Sequence, residues 1–383
     1  MFSRITIALV CTFSLFLCQD TFAQISSDER DGKVNAINTA VPFLRISPDA
    51  RSGAMGDVGL ALSPDANAVY WNLSKLPFAE KKAAIAVTYT PWLKELVNDV
   101  FLAQVAGYTQ LDENQSIGAS LRYFSLGDIQ FTDMNQADNG TFRPREFAFD
   151  AGYARRLSQN WSIGLALRYI HSSLATGLSV DQQTIRPGRA VAADLTSFYT
   201  KNFETDNGVN TLSLGFAMTN IGTKISYTQS AQRDFLPTNL GLGAAYTIGI
   251  DEYNKFTFAL DINKLMVPTP QTDSTYPDKS VLEGLFSSFG DAPGGFKEEL
   301  HELMYSVGGE YWYNNQFAVR VGYYNEHATK GNRKYFTAGL GVKYDIFGLN
   351  FSYLVPSGAG IQRNPLSNTL RFTLSFDLSR NEE

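Results

Sequence analysis

Cysteine is nearly absent from this chain: Cys11 and Cys18 are the only two, and both precede position 20. Past them no thiol remains to close a disulfide, bind a metal as thiolate or act as a nucleophile, so the fold must rest on backbone ladders and packing. Histidine is almost as scarce. His171, His301 and His327 show no His-Glu-x-x-His or Glu-x-x-His spacing for zinc and are expected as single surface histidines. There is no Gly-x-Ser-x-Gly elbow for a nucleophilic serine, and Gly241 and Gly243 run on into Ala244, Ala245 and Tyr246 inside an alternating stretch, which removes a dinucleotide fingerprint. No catalytic residue, metal site or cofactor is therefore expected. Beyond the first residues no run of about twenty apolar residues occurs, which excludes a helical membrane span. Net charge is -6 and no basic stripe favours nucleic acid.

The start of the chain has the form of a secretory signal. Arg4 supplies positive charge, Ile5 to Leu17 an apolar stretch, and Thr21-Phe22-Ala23 a small-residue cleavage site before Gln24. A lipoprotein reading through Cys18 is disfavoured by the bulky Leu17 before it. Cleavage after Ala23 would remove both cysteines.

What is abundant is alternation. From Phe336 to Ile346 the apolar Phe336, Ala338, Leu340, Val342, Tyr344 and Ile346 alternate with Thr337, Gly339, Gly341, Lys343 and Asp345. Leu370, Phe372, Leu374, Phe376 and Leu378 alternate in the same way with Thr369, Arg371, Thr373, Ser375 and Asp377. One face is fit for lipid and the other carries charge, the pattern of a transmembrane β-barrel whose polar face lines a lumen. Aromatic residues at 13% and 31 glycines suit interfacial girdles and close packing.

Candidate strands fall at 83–90, 100–109, 116–125, 146–155, 161–171, 190–200, 209–220, 238–248, 255–264, 304–313, 316–325, 335–345, 349–355 and 369–378. That gives an all-β membrane barrel of about fourteen antiparallel strands, an even number as bacterial single-chain barrels require. Short connections at 112–115, 157–160, 249–254, 314–315 and 346–348 alternate with long ones at 126–145, 172–189, 221–237, 265–303, 326–334 and 356–368. Barrels of this kind have short periplasmic turns and long outer loops, so the alternation supports one up-and-down barrel. Thr223 to Thr228 could form a further strand but would break parity, and is read as outer loop.

The lumen-facing phase contains Gly118, Ser120, Gly164, Ala166, Gly215, Gly241, Gly243, Gly339 and Gly341, which leaves room for something inside. Residues 34–78 are long and patterned enough to fill it. The chain is thus divided into a leader (1–23), an N-terminal plug or hatch (24–82) and a barrel (83–383) whose largest outer loop is 265–303. Arg51 and Asp57 are candidates for ion pairs from hatch to wall, and Tyr70 and Trp71 for wedging the hatch. Arg122, Arg168, Arg320, Lys343 and Arg371, set against Asp150, Asp194, Asp261, Glu310, Asp345 and Asp377, are expected to pair across the lumen, because buried charges persist only when paired. In the largest loop Val281, Leu282, Leu285, Phe286 and Phe289, and then Phe296, Leu300, Leu303 and Met304, recur at helical spacing, with Asp278 as an N-cap. Such a face either folds over the barrel mouth or meets a partner.

Residues 42–59, reading PFLRISPDARSGAMGDVG, and 65–72, reading DANAVYWN, form the most distinctive stretch. It resembles the signature of the PorV/PorQ branch of the FadL-like outer-membrane proteins, in which a block ending AR--AMG-A precedes D--A-YWNPA-L. The likeness extends to Asn220 to Tyr227 and to the strand pattern across the mature chain. It departs at Leu73-Ser74, where the family has Pro-Ala. Within these blocks Arg51, Asp57, Asp65, Asn67, Tyr70, Trp71 and Asn72 are the hatch residues, while the helical spacing noted above, and not the match, makes Val281, Leu282, Leu285, Phe286, Phe289 and Phe296 a candidate partner-binding loop. The resemblance implies a non-enzymatic component of the type IX secretion system in a Bacteroidota-type outer membrane. Its partners would be outer-membrane lipid, a SprA-type translocon, the C-terminal domains of secreted cargo, and an attachment complex with a PorU-type sortase. The alternatives are a FadL-like transporter of hydrophobic molecules and a PorQ-like scaffold.

Overall fold

The computed structural model describes residues 34–94, 97–132, 138–176, 179–180, 183–206, 208–228, 233–270, 279–357 and 369–378. The expected leader, Asp278 and most of the last long connection lie outside them. The strands are β1 (Ala83–Pro91), β2 (Val100–Gln110), β3 (Gln115–Leu126), β4 (Ile129–Thr132), β5 (Asp138–Phe142), β6 (Arg145–Arg156), β7 (Trp161–Ser173), β8 (Ser179–Val180) and β9 (Gln183–Thr184). They continue as β10 (Gly188–Thr205), β11 (Gly208–Gly222), β12 (Asn239–Gly249), β13 (Asn254–Leu265), β14 (Leu303–Tyr313), β15 (Phe317–Asn325), β16 (Lys334–Tyr344), β17 (Phe347–Pro356) and β18 (Thr369–Asp377).

Fourteen of these close one antiparallel barrel, each pairing with its neighbour in the chain, and β1 seals the ring against β18. At the seam Val87 lies opposite Val105 on one side and Leu374 on the other. Closure leaves no edge strand to satisfy in lipid, the condition a spanning sheet must meet. β4–β5 and β8–β9 are separate two-stranded hairpins inside long connections expected to lack strands. Residues 223–228 stay out of the wall and contribute a single bridge, Ile225 to Asp234.

The period of two becomes two chemically distinct faces. Along β7, Ile163, Leu165, Leu167 and Tyr169 point outward while Ser162, Gly164, Ala166, Arg168 and Ile170 are buried. Exposed Tyr153, Trp161, Tyr253, Tyr313, Phe317, Tyr344 and Phe347 ring the end with the short turns, and Tyr89, Tyr169, Tyr305 and Phe336 the opposite end. Two such belts mark the two membrane interfaces. The turns are tight: Asn314 and Asn315 both take φ of 52°, the left-handed pair that matches strand twist in a primed hairpin.

Asp345 shares this conformation at φ 52° and is exposed in the turn before β17. The alternation had placed it in the lumen; the reversal of direction comes one residue earlier and takes it out of the wall.

Residues 42–79 pack against inward-facing side chains all around the ring. Their elements are a 3-10 turn (Pro42–Arg45), two single-turn helices (Ala50–Gly53 and Ala68–Trp71) and a second 3-10 stretch (Leu73–Phe78). Asp49 caps the first helix by accepting the Ser52 N–H at 2.8 Å. The helices stay short because Gly56 (φ 71°) and Asp57 (φ 61°) turn left-handed directly after the first. Residues 50–53 lie on β16, β17 and β18, whereas 73–78 lie on β2, β3, β6, β7 and β10. Where backbone meets backbone the wall must be glycine: a Cβ on Gly322 would stand 2.1 Å from Gly56 N, and one on Gly215 2.3 Å from the Leu60 carbonyl oxygen. The small residues of the lumen phase are thus the seats of the N-terminal segment.

Candidate functional site

Three polar assemblies hold this interior. On one side Arg122 meets Asp150 at 3.3 Å, and Arg168 bridges Asp150 and Asp194, the latter at 2.8 Å, while the Asn220 N–H donates to Asp194 at 2.7 Å. These residues all belong to the wall. On the other side Glu310 of β14 accepts from Arg320 of β15 at 2.6 Å and from Arg51 at 2.9 and 2.8 Å, so wall and N-terminal segment share one carboxylate. Arg51 also reaches Asp65 at 3.2 Å. Third, the Gly59 and Leu60 N–H groups donate to Asp261 at 2.7 and 3.0 Å. With water excluded, each carboxylate left without its partner would carry its desolvation cost, so these contacts fix one placement of the segment.

The predicted hatch residues converge here. The Trp71 indole donates to Asp49 at 2.7 Å and Asn72 donates to the Leu60 and Ser197 carbonyls, both at 3.0 Å. Asn67 accepts from Gln104 at 3.3 Å, and its N–H donates to Asp65 at 2.8 Å. Tyr70 donates to the Leu44 carbonyl at 3.2 Å and lies under the Arg122 guanidinium, 4.9 Å from ring centroid to Cζ. Asp57 accepts the Tyr335 hydroxyl proton and lies 3.6 Å from Arg371. Lys343 pairs with Asp377 at 2.8 Å, as the lumen-facing phase of both residues leads one to expect, near the short-turn end of the wall.

Above the segment, toward the long connections, a cavity of about 150 Å³ remains. Arg45, Arg333, Arg371 and Asp57 line it together with Trp71 and Trp92. Residues Asn239, Asn263, Met304, Tyr324 and Leu354, which also contribute, stand at strand ends that lead into the long loops. Sequence reading missed Arg45 and Arg333, since neither lies in a wall strand and their proximity depends on tertiary folding. Both share Glu326, at 3.2 Å from Arg45 and 2.6 Å from Arg333. Burial raises the pKa of the Glu326 carboxyl, but the two guanidiniums outweigh it and hold the group below the ordinary carboxylate range.

The largest loop forms helices at Val281–Ser287 and Phe296–His301. The N-cap of the first is Ser280, accepting the Glu283 N–H at 3.2 Å. Of the expected apolar face, Leu285 and Met304 are buried and Val281 and Leu303 half-buried; Leu282, Phe286, Phe289, Phe296 and Leu300 face out, Phe296 at 79% exposure. The charges turn inward instead. Lys264 of β13 pairs with Glu299 at 3.1 Å and with Glu302, and Lys330 pairs with Glu298 at 2.6 Å and Glu302 at 3.0 Å. Above the wall, therefore, the loop repeats the wall's own arrangement, with polar groups inside and apolar ones outside. Phe289, Phe296 and Leu300 enclose, with Leu240, Leu242 and Ile262 of the wall, a groove of about 210 Å³ on the lipid side. His301 and His327, expected to be isolated, stack on each other at 3.6 Å between centroids and tie two loops together.

Known proteins agree with this geometry. The P. putida toluene transporter TodX aligns with a TM-score of 0.53 and 12% identity over 87% of this chain and 99% of its own. Its deltaS2S3 mutant, a monoaromatic hydrocarbon channel, aligns with a TM-score of 0.50 and 13% identity over 86% of this chain and 99% of its own. At such identities the likeness shows the fold alone. No curated protein matches the sequence. The family model described as "Type IX secretion system protein PorV" matches residues 28–272, narrower than the whole mature chain that the motif likeness covered. That span holds the distinctive blocks and nine of the wall strands, well over half of the 383 residues, and the chain belongs to the PorV family.

Proposed function

We propose that this outer-membrane component of the type IX secretion system receives secreted cargo by its C-terminal signal domain at a SprA-type translocon. It then passes the cargo to an attachment complex with a PorU-type sortase, in a membrane of the Bacteroidota type. Residues 24–82 act as a hatch that closes the barrel. The observation that carries the reading is the opposed placement of apolar groups: the lumen is occupied and locked by buried ion pairs, while the loop at 265–303 displays Leu282, Phe286, Phe289 and Phe296 to its surroundings. A conduit needs the reverse. An apolar face level with the upper edge of the wall suits a partner that is itself in the membrane, as a translocon is.

The second reading, uptake of small hydrophobic molecules, draws on the likeness of fold to toluene transporters. The two are separated by deleting residues 281–296 and measuring surface-attached cargo and fatty-acid uptake in the same strains. Loss of cargo display with uptake unchanged supports secretion; normal display with lost uptake would sink it. Orientation has its own check. A cysteine placed at Gly290, where a Cβ would meet nothing within 4 Å, should label on intact cells, and one at Asn315 only after the outer membrane is permeabilised.

A further inference from the structure

We infer that the cavity above the N-terminal segment holds the carboxylate end of a polypeptide, seated with an apolar side chain; this rests on the secretion reading and names what that reading leaves open. The cavity's charge is unbalanced. Arg168, which borders it, is satisfied by Asp150 and Asp194. Arg45 and Arg333, however, share the single carboxylate of Glu326 and keep 21% and 32% of their side chains accessible. Arg371, only 2% exposed, has Asp57 at 3.6 Å as its ion partner, and its Nε and Nη1 have no hydrogen-bond partner among the described residues.

Guanidinium groups in excess of carboxylates call for an anion, and a planar carboxylate matches their paired N–H geometry. The remaining lining argues against a small hydrated anion, because Leu44, Ile46, Trp71 and Trp92 offer apolar and aromatic surface beside the arginines. At about 150 Å³ the space takes a terminal residue and not a folded domain. It lies at the long-loop end, where a chain released at the cell surface would arrive.

The test uses the full-length protein in detergent micelles, with tryptophan fluorescence reporting on Trp71 and Trp92 and N-acetylphenylalanine as probe against its amide. The acid should bind about tenfold tighter than the amide, the worth of one charge-assisted hydrogen bond. Arg45→Gln should abolish that preference while Glu326 stays paired with Arg333, and Arg371→Gln provides a second variant should the first fail to fold. Equal binding of acid and amide, or absence of binding, overturns the inference. In cells, cargo extended past its C-terminus should lose display. Normal display of extended cargo, when deletion of this protein abolishes display, overturns the inference and spares the secretion reading; display that survives the deletion overturns the reading itself.

Discussion

Residues 42–79 and residues 265–303 are similar in length, and both carry short helices between irregular stretches, yet they treat apolar side chains in opposite ways. The inner segment buries Phe43, Leu44, Met55, Val58, Leu60, Leu62, Leu73 and Leu76 against a wall trimmed to glycine and alanine. The outer loop buries its charges, Glu299 and Glu302 on Lys264 and Lys330, and shows its phenylalanines. A segment enclosed by the polar lumen face must carry its own core to that face, whereas a loop rising from the lipid-facing rim continues the rim. Buried packing is therefore concentrated inside, and exposed apolar surface lies on the outside.

The hardest test of that division is Glu310→Gln. It leaves Arg51 and Arg320 buried with half of their counter-charge gone, and should cost about 3–5 kcal/mol, the penalty of breaking a buried pair. Thermal unfolding in micelles, followed by gel heat-modifiability, would read it. Replacing all three residues with methionine should recover most of the loss, since an apolar set of similar volume avoids the desolvation altogether. An unchanged midpoint in Glu310→Gln would mean that the inner segment is not held by this network.

Gly341 sharpens the same point at smaller scale. Read as a roomy lumen position, it should accept Ser freely, but a Cβ there would lie 2.6 Å from Arg320 Nη1 and 2.7 Å from Asn350 Oδ1. Arg320 is held by Glu310 and Asn350 and cannot swing aside without loss, so Gly341→Ser should cost about 1 kcal/mol by overpacking. In the outer loop, by contrast, joint Phe286→Ser and Phe296→Ser substitutions should shift stability by less than about 0.5 kcal/mol, as surface changes do. They should still reduce captured cargo on the cell surface. A large stability loss with capture intact would reverse the comparison.

All fourteen wall strands could be read from the chain, because the period of two is imposed on every one of them by lipid on one side and polar filling on the other. Their ends could not: β10 runs to Thr205 and β11 starts at Gly208, where mutual pairing carries both past the alternating core. Asp345 was misplaced for the same reason, since alternation continues through a turn that only backbone geometry reveals. Helical spacing in 281–303 showed which residues share a face but not where the face points. That direction is set by Lys264 and Lys330, distant in sequence from the helix they hold. Arg45, Arg333 and Glu326 were likewise beyond a linear reading, being brought together from the N-terminal segment and one loop.

The smallest expected effect concerns that last cluster and links the two regions, because Arg45 belongs to the inner segment while Glu326 and Arg333 belong to the loop at 326–334. The pKa of the Glu326 carboxyl is lowered in the folded protein: burial raises it, and the hydrogen bond and charge of Arg333, followed by those of Arg45, more than compensate. A carboxylate with a depressed folded pKa contributes stability that is fully present above its unfolded value and is lost as pH falls through the lower folded value. The clasp should hold at neutral pH and loosen only in acid, below the usual carboxylate range. Hydrogen exchange of residues 326–334 as pH is lowered would follow it, and Glu326→Gln should exchange fast at every pH. Exchange in Glu326→Gln that matches the unsubstituted protein at every pH would assign the loop's hold to other contacts, such as the stacking of His301 on His327.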